Sequence, residues 1–197
     1  HHMYFANSIL KKNINIFFII EKNKVAPSFK TKVTFESYRE KFEKNKWFKN
    51  SKPKFLPQTY STDDINSSKV INLLKKKKTK NILIFGTKKL NLKNYKKFRN
   101  KIFNFHGGNP EKYRGLDSHY WAIYHRDFNS VETCMHLAAH KLDTGKILYR
   151  EKIKINHNTK IYELRSMNTE VCLKQALKFL SNLKEKIKLR FKKQEKE

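Results

Sequence analysis

The sequence predicts a doubly wound, mostly parallel α/β sheet closed by a long C-terminal helix, and three observations carry this prediction. Helix-patterned and β-rich segments alternate along the chain, as they do where parallel strands are joined by crossover helices. The β-rich segments are short, continuous apolar runs, which suit strands covered on both faces. Near the end, Leu173, Leu177, Leu180, Leu183, Ile187 and Phe191 recur at helical steps and form one apolar stripe.

Residues 4–12 read as a short helix and residues 14–20 as a strand covered on both faces. Residues 35–48 are helix-like, with aromatics at Phe35, Tyr38, Phe42 and Phe48. Pro53 and Pro57 end that segment and lead into an extended piece near residues 55–59. Asp63 and Asp64 stand where they can cap a helix carrying Ile65, Val70, Ile71, Leu73 and Leu74. Residues 81–85 are the next buried strand, closed by Gly86 and Thr87. Residues 92–99 have a helical pattern, and residues 101–106 form a strand that runs into a block of glycines. Residues 117–124 follow as a helix with Asp117 or Ser118 near its start, and residues 131–137 and 146–155 pair as neighbouring strands. The closing helix spans residues 168–191 with Asn168 as its cap, and its stripe reads as core packing rather than a partner surface. Folds of this class usually start with a strand, whereas this chain starts with a helix, so either a first strand is missing or the sheet edge is built differently.

At 197 residues the chain suits one domain with a real core, and residues 3–197 are read as a single unit, with His1 and His2 set aside as a tag remnant. No apolar run approaches the roughly 20 residues of a membrane span, so no membrane partner is expected. Cys134 and Cys172 have neither disulfide nor metal spacing, which fits a reducing cytoplasm. The net charge of +28 would suit nucleic acid, yet only seven of the 45 basic residues are arginine and the lysines are scattered along the whole length. Base-reading surfaces use arginine forks in a localised patch. Nucleic acid is therefore not the expected partner, and the run at residues 75–78 reads as a solvated helix end. Such a field still favours an anionic substrate.

All five glycines fall between Gly86 and Gly145, and four of them frame one region: Gly107, Gly108, Gly115 and Gly145. Clustered glycine in a chain otherwise nearly free of it marks tight turns or close approach to a ligand. Asn104 and His106 lie two apart at the end of a predicted strand, so their side chains share a side. Strand carboxyl ends are where ligands bind in open α/β sheets. An amide and an imidazole aimed together suit a developing oxyanion, and Asp143 can return to the same crevice to orient His106 and favour its protonated form. On spacing alone, a loop-capping His106 and a turn-starting Asp143 stand equally well.

Other patterns are weaker. His136 and His140 have metal-like spacing only on a helix, whereas that region reads as strand then loop; no metal is expected. Neither cysteine has a histidine at useful spacing for a thiol nucleophile, and neither a Walker nor a dinucleotide fingerprint is present. Trp121 and Tyr124 read as core, and Tyr113, beside Arg114 and Gly115, as facing a ligand.

Asn104-Phe105-His106, then Tyr113-Arg114-Gly115, then Leu142-Asp143-Thr144-Gly145 resemble the formyltransferase family that uses N10-formyltetrahydrofolate; the order and spacing of these motifs match, and a thin resemblance extends over most of the chain. The resemblance implies a Rossmann-like catalytic domain and an Asn104, His106 and Asp143 catalytic triad. Within the family, glycinamide ribonucleotide enzymes typically carry Asp-Ala-Gly and no Tyr-Arg-Gly. The tRNA enzymes usually have His-Pro-Ser and a further C-terminal domain. His106-Gly107-Gly108 with Tyr113-Arg114-Gly115 and a following Trp121 looks like the sugar N-formyltransferases, which act on nucleotide-linked amino sugars.

By that resemblance the pterin of the formyl donor lies near Phe85, Gly86 and Thr87 and the loop Ala138, Ala139, His140, Lys141 and Leu142. Gly107, Gly108, Tyr113, Arg114 and Gly115 face the sugar, and a homodimer is an open expectation. The family often has Thr-x-His and an acidic-Gly pair where this chain has Cys134-Met135-His136 and His140-Lys141. The alternatives are a tRNA formyltransferase or tRNA-binding protein, which the charge favours, and a catalytically silent folate- or sugar-binding homologue.

Overall fold

The computed structural model describes residues 1–12, 15–22, 35–49, 51 and 58–195. Helix α1 (His2–Leu10) is followed by strand β1 (Phe18–Glu21), helix α2 (Glu36–Phe48), strand β2 (Thr59–Thr62) and helix α3 (Ser68–Lys76). Strands β3 (Ile82–Ile84) and β4 (Ile102–His106) come next, then helix α4 (Ser118–Tyr124), strands β5 (Glu132–Leu137) and β6 (Ile147–Lys152), and the long helix α5 (Leu164–Lys184). β1 pairs in parallel with β2, and β3 in parallel with β4. β5 runs antiparallel to both β4 and β6, so the second sheet has the order β3-β4-β5-β6.

Strand alternation puts a core on each face of this layer. Phe103 and Phe105 of β4 point to one side, where Phe5 and Ile9 of α1 and Cys172, Ala176 and Phe179 of α5 cover them. Ile102 points to the other, into a core of Val70, Ile71 and Leu74 from α3 with Leu90, Tyr95 and Phe98. Just before β1, Ile16 packs on the first core and Phe17 on the second, and Ile19 of β1 joins the second. Helices on two faces of one strand layer make the doubly wound arrangement expected from the alternating pattern. A smaller core of Ala122, Val131, Ile153 and Leu164 sits under α4. Among the described residues no helix is long and apolar enough to cross a membrane.

Several local expectations are corrected. β1 is only half-buried, with Ile20 36% exposed, because among the described residues its ladder is with β2 alone; residue 14 lies outside the described residues. β3 is likewise half-buried. The extended piece near residues 55–59 lies mostly outside the described residues, and β2 begins at Thr59. α3 is capped by Ser67, whose hydroxyl accepts from Val70 N, and not by Asp63 or Asp64. Asp64 instead accepts the Asn66 N–H at 2.8 Å and closes the preceding turn.

Residues 92–99 form turns and one 3-10 turn (Lys96–Phe98) rather than a helix. There the Asn91 side chain accepts the Lys93 N–H and competes with helical bonding, while the Tyr95 hydroxyl donates to the Ile65 carbonyl. α5 starts four residues before Asn168 and stops before Ile187 and Phe191. Asn168 is no cap: its Oδ1 accepts the Thr133 hydroxyl at 2.6 Å and ties α5 to β5. α1 begins at His2, and the rings of His1 and His2 stand edge-on to Phe85, so the two leading histidines are part of the packed structure.

Candidate active site

β4 delivers Asn104 and His106 to the same side, and the loop between β5 and β6 brings Asp143 to meet them. Asn104 Nδ2 donates to Asp143 Oδ1 at 3.1 Å, and His106 Nδ1 lies 3.4 Å from Asp143 Oδ2. The other ring nitrogen of His106 is 2.8 Å from the carbonyl oxygen of Tyr113, to which it donates. Gly115 N–H donates to Asp143 Oδ2 at 2.8 Å. The three residues of the expected triad are thus gathered around one carboxylate.

Backbone conformation makes this possible. Asp143 itself has φ +54° and Gly115 φ +89°, both in the left-handed region. At Gly145 the constraint is space: a Cβ there would lie 1.7 Å from the Leu137 carbonyl oxygen. The Asp-Thr-Gly turn therefore closes onto the end of β5 only with glycine as its last residue. Gly107 and Gly108 carry β4 into the 109–115 loop, with the Gly107 carbonyl accepting from His119 Nδ1 and Gly108 packed against Ser118.

Burial sets the electrostatics. Desolvation lowers the pKa of His106 despite the opposing pull of Asp143 and the Tyr113 carbonyl. His106 is therefore a neutral imidazole at neutral pH and able to accept a proton. Desolvation would raise the Asp143 carboxyl, yet the His136 hydrogen bond, the nearby His106 and the Gly115 N–H together hold it below the usual range. A permanent carboxylate then faces a neutral, orientable imidazole, the pairing that general acid–base chemistry needs.

His136, which stands where the family often has the histidine of Thr-x-His but lies outside the expected site residues, is a further member of the cluster. It is 1% exposed, with Nε2 3.3 Å from Asp143 Oδ1 and Nδ1 2.9 Å from the Leu137 carbonyl oxygen. Besides that pattern, the signal for it is the strand register: His136 stands directly across from Asn104 in the β4–β5 ladder. Among the described residues no group of three His, Cys, Asp or Glu side chains could hold a metal ion. Both cysteines are free and buried.

The remaining expected site residues divide. Tyr113 touches the cluster through its carbonyl, while its hydroxyl donates to Asp127 at 3.4 Å. The Arg114 guanidinium donates from Nε to the Pro110 carbonyl and braces the glycine loop. Phe85 turns into the core against Phe5 and Phe105, Gly86 lies against His2, and the Thr87 hydroxyl bonds the Lys88 carbonyl. Ala138 packs on the α3-side core and its N–H donates to the Ile102 carbonyl. Ala139 is half-buried, and Lys141 and Leu142 are exposed. His140 lines an open cavity of about 290 Å³ with Lys89, Leu90, Asn91 and Leu92, a loop that no sequence motif marks. Trp121 and Tyr124 are 49% and 75% exposed and not core, because α4 is only two turns long and turns Ala122 inward instead.

A family model described as formyl transferase matches residues 11–174, most of the chain and all three motifs. The chain belongs to the formyl transferase family.

Solved structures share the fold of this chain at low sequence identity. Phosphoribosylglycinamide formyltransferase from Anaplasma phagocytophilum is 17% identical with a TM-score of 0.53, over 63% of this chain and 63% of that one. The formyltransferase PseJ from Anoxybacillus kamchatkensis, solved with UDP-4,6-dideoxy-4-formamido-L-AltNAc and tetrahydrofolate, is 15% identical with a TM-score of 0.58, over 92% and 82%. A variant of HypX from Aquifex aeolicus is 15% identical with a TM-score of 0.59, over 91% of this chain but 29% of HypX. The matched region thus spans less than two thirds of the Anaplasma enzyme and under a third of HypX. Among curated protein sequences none matches.

Proposed function

We propose that this formyl transferase moves the formyl group of N10-formyltetrahydrofolate to the amino group of a nucleotide-linked amino sugar. The observation that carries the reading is the gathering of Asn104 and His106 around the Asp143 carboxylate. The donor supplies the formyl carbon and a leaving nitrogen; the protein's part is to orient, to hold charge and to move one proton. Asn104 Nδ2, which keeps a second hydrogen beside the one given to Asp143, holds the oxygen that becomes negative as the free amine attacks, and the His106 N–H joins it on turning from the Tyr113 carbonyl. His106, neutral before reaction, relays the proton lost by the attacking amine toward the leaving nitrogen. Asp143 orients the ring and stabilises it while it is charged. A formamide and tetrahydrofolate result, with no net gain or loss of protons.

The residues fit such a donor. The cavity beside His140 has Leu90 and Leu92 as apolar walls and His140 and Asn91 as hydrogen-bonding groups, a lining suited to a flat, polar-edged ring. The sugar branch is supported by the Gly107-Gly108 turn, by the Tyr113-Arg114-Gly115 motif and by the resemblance to PseJ, whose structure holds a UDP-linked formamido sugar. A net charge of +28 favours a diphosphate-bearing acceptor and equally favours tRNA, which is the second reading.

The test is to incubate the protein with N10-formyltetrahydrofolate, a panel of nucleotide-linked 3-amino and 4-amino sugars, and methionyl-tRNA, and to look by mass spectrometry for one added formyl group. A formylated sugar is expected, and none from folded His106→Ala or Asp143→Asn. Formylated tRNA alone would replace the acceptor. Full turnover by folded His106→Ala would remove the mechanism.

A further inference from the structure

After α5 the described residues stay against the domain. Residues 187–195 run back across the sheet edge as an extended strap. Phe191 stacks near Phe103 at 6.4 Å, and Leu189 packs on the α5-side core. Lys192 and Ile147 exchange both main-chain hydrogen bonds at 2.8 Å, which adds one antiparallel bridge to the start of β6. Glu195 N–H then donates to Glu111 Oε1, fixing the strap to the loop after Gly108.

Between those anchors stands Gln194. Its Nε2 donates to the carbonyl of Asp143 at 2.6 Å and to the carbonyl of Gly145 at 2.8 Å. These two carbonyls flank the turn in which Asp143 adopts φ +54°, a left-handed conformation that residues with a side chain adopt rarely, Asp less rarely than most, and that the surrounding hydrogen bonds hold in place. Gly145 closes that turn from below against Leu137, and one side-chain amide closes it from above. The strap lies beyond residue 174, outside the stretch that the family model matches.

We infer that Gln194 is a positioning residue: through two main-chain carbonyls, the C-terminal strap holds the Asp143 carboxylate in register with His106 and Asn104. The inference rests on reading Asp143 and His106 as the reacting pair. The groups facing the His106 ring are Asp143 from the β5–β6 loop, His136 from β5, His119 from α4 and the Tyr113 carbonyl. Of these only the Asp143 turn is bonded by Gln194, whereas the strap's contact with the loop that carries Tyr113 is made by the Glu195 main chain. Removing the Gln194 amide therefore releases the carboxylate's turn while keeping the Glu195 anchor.

The test uses Gln194→Ala and Gln194→Met, the second keeping side-chain length without the donors, with the exposed Lys193→Ala as control. The NMR titration of the His106 imidazole is followed in the full chain without substrate, so its outcome does not depend on which acceptor is correct. In both Gln194 variants the midpoint is expected to fall by more than about half a pH unit, because the carboxylate that raises it is displaced. Formyl transfer is expected to drop about tenfold or more with little change in donor KM, while Lys193→Ala matches the parent. A His106 titration superimposable on the parent's in a folded Gln194 variant overturns the inference. So does unfolding of both variants, which would make the strap a support of the whole domain.

Discussion

The Gly115 N–H reaches Asp143 Oδ2 at 2.8 Å, so the Tyr-Arg-Gly and Leu-Asp-Thr-Gly motifs meet across a single hydrogen bond. His106 touches both: its Nε2 donates to the carbonyl of Tyr113 in the first motif, and its Nδ1 faces the carboxylate of the second. The 109–115 loop is therefore the third wall of the site. Its conformation decides whether imidazole and carboxylate face one another.

Gly115→Ala tests that wall. Nothing lies within 4 Å of the position where its Cβ would stand, so the effect comes only from φ +89°. The strain is about 1–2 kcal/mol, relieved by a shift that draws the N–H from Asp143. Formyl transfer is expected to fall at least tenfold, with a stability loss of about 1 kcal/mol by urea titration. Unchanged activity would show that the Gly115 bond is dispensable.

His136 supplies the hydrogen bond that does most to hold the Asp143 carboxyl down against its desolvation. In His136→Ala the Asp143 titration midpoint, read from its carboxyl carbon by NMR, is expected to rise. The His106 midpoint should change little, since the two rings are 6.2 Å apart and His136 contributes only weakly to it. Movement of His106 with no change in Asp143 would assign His136 to the wrong partner.

How far the chain discloses this site depends on the distance over which each contact is made. Asn104 and His106 share a side because they are two apart on one strand, a local fact. The Asp143 contact needs the β5–β6 hairpin, and its motif stands in for that geometry. His136 stands at the histidine of the Thr-x-His pattern, but its contact with Asn104 and Asp143 comes from strand register, which that pattern does not encode. Helix ends are hard to read where cap formers are abundant: Asp63, Asp64 and Ser67 all qualify, and Asp64 is used by the preceding turn. The end of α5 has neither glycine nor proline to mark it, so the stripe reads on to Phe191, which packs near Phe103 from the strap instead.

Acid should weaken the fold through His119. Burial pulls its pKa from 6.5 to about 4, against the Gly107 carbonyl, and its Nε2 has no partner among the described residues. The folded state thus keeps the ring neutral where the unfolded chain protonates it. The stability so contributed is full above pH 6.5 and is lost as pH falls toward 4, amounting to roughly 3 kcal/mol. His106, also lowered, acts with the same sign. Urea midpoints measured from pH 7.5 to 4 should decline in the parent and decline less in His119→Gln. Parallel curves would place the acid sensitivity elsewhere.

Glu43 of α2 and Arg165 of α5 form a bidentate pair, both contacts at 2.7 Å, with the Glu43 side chain 6% exposed and that of Arg165 22%. The pair holds α2 onto the start of α5, the helix that also carries Asn168 against β5. Two charges brought this far out of water gain little net stability together, but removing one strands the other. Glu43→Ala should cost about 2–3 kcal/mol, the lower end reflecting the partial exposure of the guanidinium. The double variant Glu43→Leu with Arg165→Met should recover most of that loss, because apolar groups of similar size remove both charges of the pair and leave only the His1 amino group, 3.6 Å from Glu43 Oε2, without its partner. If the double variant is as unstable as the single one, the pair is a source of net stability, and α2 is held by charge rather than by the packing of Phe42 on Tyr162 and of Trp47 on Tyr4.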